Sequence, residues 1–382
     1  MIRTLLPPAM LAALTLAIPA ATAQSLPRDA PADPAHRNVP ATTGRANLPA
    51  STQRPFMVQT IGTFDSPFAM AFLPDGRLLV TEKAGRLKLR DTDGSVIAIS
   101  GLPPVAKGGQ GGLLDVIAAP DFASSHHIYW TYSEAAGSGS QLAMARGTLT
   151  GRTLTDVAVL WRSGSAGPGG QFGAVIAFAP DGRSLFLSSG ERQRFTPAQD
   201  PNQKLGKILH LTLDGRPAPG THDGILTSGH RNPYGLQFYG GRLWEIEMGP
   251  KGGDELNVIL PGRNYGWPIV SNGDNYDGVP INDHPTRPEF EPPRLWWNPS
   301  ISPAGLMIYT GALFPQWRGS AFIGALSGEA LVRVSLAGGV AKPADQWSMD
   351  ARIRDVAQAP DGAIWLLQDG DGAKLLRLTP RR

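Results

Sequence analysis

The chain has 382 residues, with 35 Lys and Arg against 32 Asp and Glu, 46 Gly, 35 Pro and no Cys. This near balance of charge excludes the dense basic surface that nucleic-acid binding needs. The lack of cysteine excludes disulfides, thiolate metal sites and cysteine nucleophiles, and a chain of this length buries an ample core without them.

Residues 1–23 carry one basic residue, Arg3, then a short apolar run over 5–20 and the small residues Ala21-Thr22-Ala23. That pattern reads as a secretory signal cleaved before Gln24. Its three prolines and short length argue against a membrane anchor, and no later stretch predicts a membrane span. The expected location is therefore periplasmic or secreted. Residues 24–55 are rich in Pro, Ala, Asn, Arg and Asp and poor in large apolar side chains, which predicts a flexible leader.

From Phe56 to the C-terminus the chain is a series of short apolar or alternating runs, among them 77–82, 127–133, 184–188, 207–213, 331–335 and 363–367. Runs of this kind predict strands, and no sustained helical periodicity interrupts them. Phe72-Leu-Pro-Asp-Gly-Arg77, Phe178-Ala-Pro-Asp-Gly-Arg183 and Ala359-Pro-Asp-Gly362 repeat a turn signal ahead of a strand, and Ala119-Pro-Asp-Phe122 is a variant of it. Proline presets its φ, Asp bonds nearby backbone and Gly accepts positive φ. The expected class is all-β. Repeated strand–turn–strand units fit the blades of a propeller, with a β-sandwich or two smaller β domains as the alternatives.

Several segments have residue types suited to chemistry. Gly108-Gly-Gln110-Gly-Gly-Leu-Leu-Asp115 is rich in glycine, but no helix pattern follows it, so it is not a phosphate cradle. His230-Arg231-Asn232 places a cation at a turn. Gly249-Pro250 is a loop whose carbonyls are free to converge, and Asp254-Glu255 adds two carboxylates; hard cations such as calcium take oxygen ligands of both kinds. By itself, such an acidic pair serves a solvated loop equally well. Tyr265-Gly-Trp267 adds an aromatic corner. Arg352 and Arg354 stand two apart in a strand-like run and so share a face, and guanidinium forks pair well with carboxylates.

Taken together, the Gln110, Arg231-Asn232, Gly249-Pro250, Asp254-Glu255, Tyr265-Gly-Trp267 and Arg352-x-Arg354 segments resemble the soluble periplasmic quinoprotein aldose dehydrogenases, the glucose/sorbosone dehydrogenase-like proteins. The resemblance implies a six-bladed β-propeller over 56–382. It also implies pyrroloquinoline quinone and calcium as cofactors, a sugar as substrate and an electron acceptor that the sequence does not identify. Arg231, Asn232, Arg352 and Arg354 would contact the quinone, and Gln110 would reach sugar and quinone. The carbonyls of Gly249 and Pro250 would hold the calcium next to the quinone. Glu255, with Asp254 beside it, and the Tyr265 backbone would belong to a second, structural calcium site.

The chain departs from the family where catalysis is concerned. Gln171 stands where relatives carry the general-base His, and Val175 where they carry an Arg. Ser327 stands at the place of a quinone-contacting Lys, and Met248 at that of a polar residue. An amide cannot take a proton at neutral pH as imidazole does, and losing a positioned base costs on the order of 10²–10⁴ in rate. His230 has a counterpart in relatives that is not the base, while the carboxylate of Glu191 is a possible substitute. Three functions are therefore open: a quinoprotein sugar dehydrogenase, a non-catalytic propeller that binds quinone, sugar or calcium, and a propeller lactonase.

Overall fold

The computed structural model describes residues 45–381 apart from Pro168. The expected signal segment and most of the expected leader lie outside the described residues. Among those described are six four-stranded antiparallel sheets and one two-stranded ribbon, arranged as a six-bladed β-propeller. The first blade runs Pro67–Phe72, Leu78–Glu82, Arg86–Arg90 and Val96–Ile99, and the second begins at Leu113–Ala118. The third begins at Gly173–Phe178, the fourth at Pro233–Tyr239, the fifth at Pro303–Ile308 and the sixth at Ile353–Gln358. These first strands pack side by side in a closed ring around a central cavity of about 520 Å³.

The outer strand of the sixth blade comes from the start of the domain. Phe56–Phe64 pairs antiparallel with Ala373–Pro380, from Phe56 opposite Pro380 to Phe64 opposite Ala373. The sheet edge left by the last blade is thereby covered.

The Pro-Asp-Gly copies occupy one structural position, the turn between the first and second strands of the first, third and sixth blades. Asp75, Asp181 and Asp361 accept hydrogen bonds from the backbone N–H two residues on, at 3.1, 3.0 and 3.0 Å. Gly76, Gly182 and Gly362 take φ of 88°, 69° and 84°, which L side chains disfavour. In the second blade a short helix, Phe122–Ser125, replaces the glycine turn. The irregular spacing of the copies follows from their presence in only these three blades.

Neighbouring blades are joined by polar contacts as well as apolar packing. Thr81, Thr131 and Ser188, on the second strands of the first three blades, donate to the Leu114, Ala174 and Pro233 carbonyls of the next blade at 2.6, 2.7 and 3.1 Å. Asp115 accepts from Ile176 N–H at 2.7 Å and Asp355 from Met70 N–H at 2.8 Å, each across a blade boundary. These side chains satisfy buried backbone groups that no ladder reaches. Burial raises the Asp115 and Asp355 carboxyls to about 7.

The expected flexible leader does not extend to residue 55. Ala46 is buried and its N–H donates to the Trp296 carbonyl at 2.7 Å. Asn47 exchanges hydrogen bonds with the Asn298 N–H and the Pro299 carbonyl, and Ser51 N–H donates to Gln346. The outer strands of the fourth and fifth blades leave backbone groups unpaired, and residues 45–51 use them with Leu48 as their one large apolar side chain. That is why composition alone did not show the contact.

Candidate functional site

In an antiparallel blade the first strand begins, and the second strand ends, at the same end. The loops entering the first strands carry Gln110, Gln171, Arg231, Asn232 and Arg352, and Arg354 follows on its strand. The loops after the second strands carry Gly249, Pro250, Ser327, Glu191 and Asp369. All therefore lie at the end opposite the Pro-Asp-Gly turns. Tyr265 reaches this end by another route. The chain after Asp254–Ile259 runs back along the third blade, with Gly262 N–H bonded to Leu226 O and Tyr265 N–H to Ser228 O at 2.8 and 2.9 Å.

The two arginines of the sixth blade do converge, and their shared partner is Asp369. Arg352 Nε is 2.9 Å from Asp369 Oδ2, and Arg354 Nε and Nη2 are 3.0 and 2.8 Å from Oδ1. Burial acts against the Asp369 anion, but the Arg354 charge and the hydrogen bonds from both arginines hold its carboxyl below the usual range. The Arg354 guanidinium stands 5.4 Å from the Phe68 ring, which meets Tyr234 edge-on at 5.8 Å. Tyr234 donates to Gln110 Oε1 at 3.1 Å, and the same oxygen accepts from Gln171 N–H at 2.8 Å. Arg354, Gln110 and Gln171 thus belong to one continuous wall.

Gln171 closes that wall on the far side. With its amide oriented to satisfy both neighbours, the NH2 group donates to Glu191 Oε1 and the oxygen accepts from Arg231 Nη2 at 2.8 Å. Glu191 is fully buried, and its Oε2 accepts from the N–H groups of Arg194 and Phe195 at 2.6 and 2.5 Å. Burial pushes its carboxyl above the usual range, although these bonds and the Arg231 charge oppose the shift.

Arg231 Nη1 donates to the carbonyls of Met248 and Gly249 at 3.0 and 2.6 Å. Its buried Nε has no hydrogen-bond partner among the described residues. The guanidinium lies 5.2 Å from Trp267 and 5.9 Å from Tyr276, a ring that is 75 % exposed. Asn232 accepts from Gly173 N–H at 3.2 Å and touches Met248 sulfur, so it braces the two loops together.

The expected metal residues divide into two groups. Gly249, Glu255 and Tyr265, with Glu247 and Gly253, border a hollow of about 10 Å³, room for a single small ion or water. Pro250 is not among the residues bordering it. Asp254 does not border it either. Its carboxylate accepts from Gly249 N–H, Ser300 hydroxyl, Ile301 N–H and Ser302 N–H at 2.9, 2.6, 2.7 and 2.8 Å. These four donors make it a brace that holds loops together. Ser327 bonds Ser302 and Ser300 at 2.8 and 3.3 Å beside that same junction.

The sequence reading missed a buried acidic face behind the hollow. Glu245 lies opposite Asn257, and Glu247 opposite Glu255, on paired strands. The Glu-x-Glu and Glu-x-Asn alternation was the available signal. Asn257 Nδ2 bonds Glu245, Glu255 and Glu247 at 3.0, 3.2 and 3.5 Å, and Glu247 bonds His230 Nδ1 at 3.0 Å. Ligand atoms of His230, Glu245 and Glu247 lie within 4.8 Å of one another. Glu245 Oε1 is buried without a partner among the described residues, and burial together with the Glu247 charge raises its carboxyl well above normal. An oxygen-rich, anion-excess donor set of this kind suits a hard divalent cation.

The family description "Glucose / Sorbosone dehydrogenase" matches residues 64–377. Aldose sugar dehydrogenase YliI of Escherichia coli is 36% identical over 340 residues, which cover 83% of this chain and 91% of that protein. The crystal structure of the soluble aldose sugar dehydrogenase of Escherichia coli in its apo-form aligns with a TM-score of 0.80 at 34% identity, covering 85% of this chain and 100% of the other. The PQQ-bound form of aldose sugar dehydrogenase from Streptomyces coelicolor aligns with a TM-score of 0.70 at 30% identity, covering 87% and 100%.

Proposed function

Because this chain belongs to the glucose/sorbosone dehydrogenase family, we propose that it is an exported quinoprotein that takes pyrroloquinoline quinone and calcium at the loop-bearing end of the propeller and oxidises an aldose at C1. The observation carrying this reading is the wall from Arg354 through Tyr234, Gln110 and Gln171 to Arg231. It gathers the arginines of two distant segments at one mouth, as a flat polycarboxylate requires.

The bound cofactors would supply a two-electron acceptor and a Lewis acid that polarises it. The chain supplies the rest. Arg352 and Arg354 bind carboxylate by exchanging part of their hold on Asp369. Arg231 offers its unused Nε, and Trp267 and Tyr276 present flat faces beside it. The Gly249 carbonyl, Glu247 and Glu255 would hold the metal once Arg231 Nη1 releases Gly249. Gln110 points its amide group to a sugar hydroxyl while its oxygen stays anchored by Gln171 and Tyr234.

Gln171 favours a second reading, in which the propeller binds these ligands without turnover. Its amide cannot accept the sugar proton, and Glu191 lies buried behind it, reaching a hydroxyl only if Gln171 moves. Titrating the purified protein with pyrroloquinoline quinone and calcium, then assaying a panel of aldoses with an artificial dye acceptor, separates the two. Binding with turnover supports the dehydrogenase, binding alone supports the second reading, and no binding defeats both.

A further inference from the structure

Lys83 follows the second strand of the first blade and is pinned at a corner of the same mouth. Its N–H donates to the Ser66 carbonyl at 3.0 Å, and Ser66 N–H in turn donates to Gly370 at 2.9 Å, next to Asp369. Its carbonyl accepts from Leu113 N–H at 3.3 Å, just past the Gln110 loop. A Cβ at Gly112 would lie 2.3 Å from that carbonyl oxygen, so only glycine lets the loop come so close. Lys83 is thus built in between the Gln110 loop and the Arg352–Arg354 pair.

The Lys83 ammonium is half-buried and makes no hydrogen bond or ion pair among the described residues, while Arg354, Asp369, Arg352 and Lys107 are the charges that act on it. Burial and the Arg354 charge push it below the ordinary lysine range. Lys83, Arg352 and Arg354 therefore act together on one carboxylate, Asp369, which both arginines already share. Like charges held together in partly desolvated surroundings repel one another unless an anion joins them. An ammonium with three unused donors needs the same partner.

We propose that Lys83 is an anion-binding residue, completing with Arg352 and Arg354 a docking site for a carboxylate group of a flat polycarboxylate. The site lies on the first blade, away from Ser327 on the fifth, so it is a separate contact and not a lysine displaced from that position. Naming pyrroloquinoline quinone as the anion rests on the proposed function; the carboxylate site itself does not.

The test is calorimetric titration of the full chain with pyrroloquinoline quinone and, separately, with benzene-1,3,5-tricarboxylate, with melting temperatures recorded. Lys83→Met, which keeps the apolar stem, is expected to weaken binding about 10-fold or more, and Lys83→Arg to retain most of it. Should Lys83→Met not fold, Lys83→Gln is read in the same way. Quinone binding that is unchanged in Lys83→Met overturns the assignment and leaves the cofactor reading intact. Binding of the tricarboxylate but not the quinone, weakened in Lys83→Met, supports the anion site and defeats the cofactor reading. If neither probe binds the wild type, both fall.

Discussion

The side-chain amide of Gln171 donates to the carboxylate of Glu191. A buried carboxylate of this kind would fix the ring of an imidazole at position 171, leaving the other ring nitrogen free to accept a proton. Gln171→His is therefore expected to raise dye-coupled aldose oxidation by roughly 10²–10⁴ in protein loaded with quinone and calcium, with Gln171→Asn giving no gain. A histidine variant that binds the quinone as wild type does, yet turns over no faster, would show that the base is not what limits this chain.

Asp369 competes with any incoming carboxylate for Arg352 and Arg354. Asp369→Asn should bind pyrroloquinoline quinone more tightly, by about 10-fold, because two guanidinium groups no longer share an anion. Losing the charge-assisted bonds should also cost about 1–3 kcal/mol of stability. Fluorescence titration checks the first expectation and urea unfolding the second; weaker binding in the variant would mean that Asp369 orients the arginines for the ligand.

The hollow beside Gly249 and Glu255 predicts a calcium-dependent stability. A ligand at 100 times its Kd that binds only the folded state adds about 2.7 kcal/mol. The wild type should melt higher with calcium than with chelator, and Glu255→Gln should lose most of that gap. Glu247→Gln should also destabilise the chelated protein, because Glu247 holds His230 and the N–H groups of Arg231 and Asn232. Equal melting temperatures with calcium and chelator would remove the metal from this hollow.

Asp115 and Asp355 give a pH dependence with a definite sign. Burial raises both carboxyls to about 7 in the folded state, so from about pH 4 up to about 7 the folded chain holds protons that the unfolded chain has lost. Their contribution is complete below the unfolded carboxylate range and is lost as pH rises through about 7. Urea unfolding should show it falling by a few kcal/mol for the pair, on the order expected from linkage. The double variant Asp115→Asn and Asp355→Asn should flatten the slope; an unaltered slope would place its origin elsewhere.

Much of the fold was legible because its signals are local. Pro-Asp-Gly fixes a turn whatever surrounds it, and Arg352 and Arg354 share a face by the period of a strand. What could not be read depends on partners distant in sequence. Asp254 read as a metal residue, and its bonds to Ser300, Ile301 and Ser302 come from a loop far along the chain. Ala46 resembled part of a loose leader until Trp296 paired with it. Lys83 carried no motif, since its setting is made by Ser66 and Gly112 from different loops. The Glu245 and Glu247 alternation was visible, but an alternating acidic pair usually marks a solvated strand face, and only the opposing Glu255 and Asn257 made it a buried cluster.

The union of Phe56–Phe64 with Ala373–Pro380 bears on the order in which the molecule assembles. A ribosome releases residue 56 long before residue 380, so the first-made strand waits for its partner through the synthesis of five blades. Meanwhile it is an exposed edge that a second nascent copy can occupy. Closure spans nearly the whole domain in sequence, so it belongs among the slow, late steps of folding. A break near either end of the domain should therefore open the ring more readily than a break of the same size within a blade.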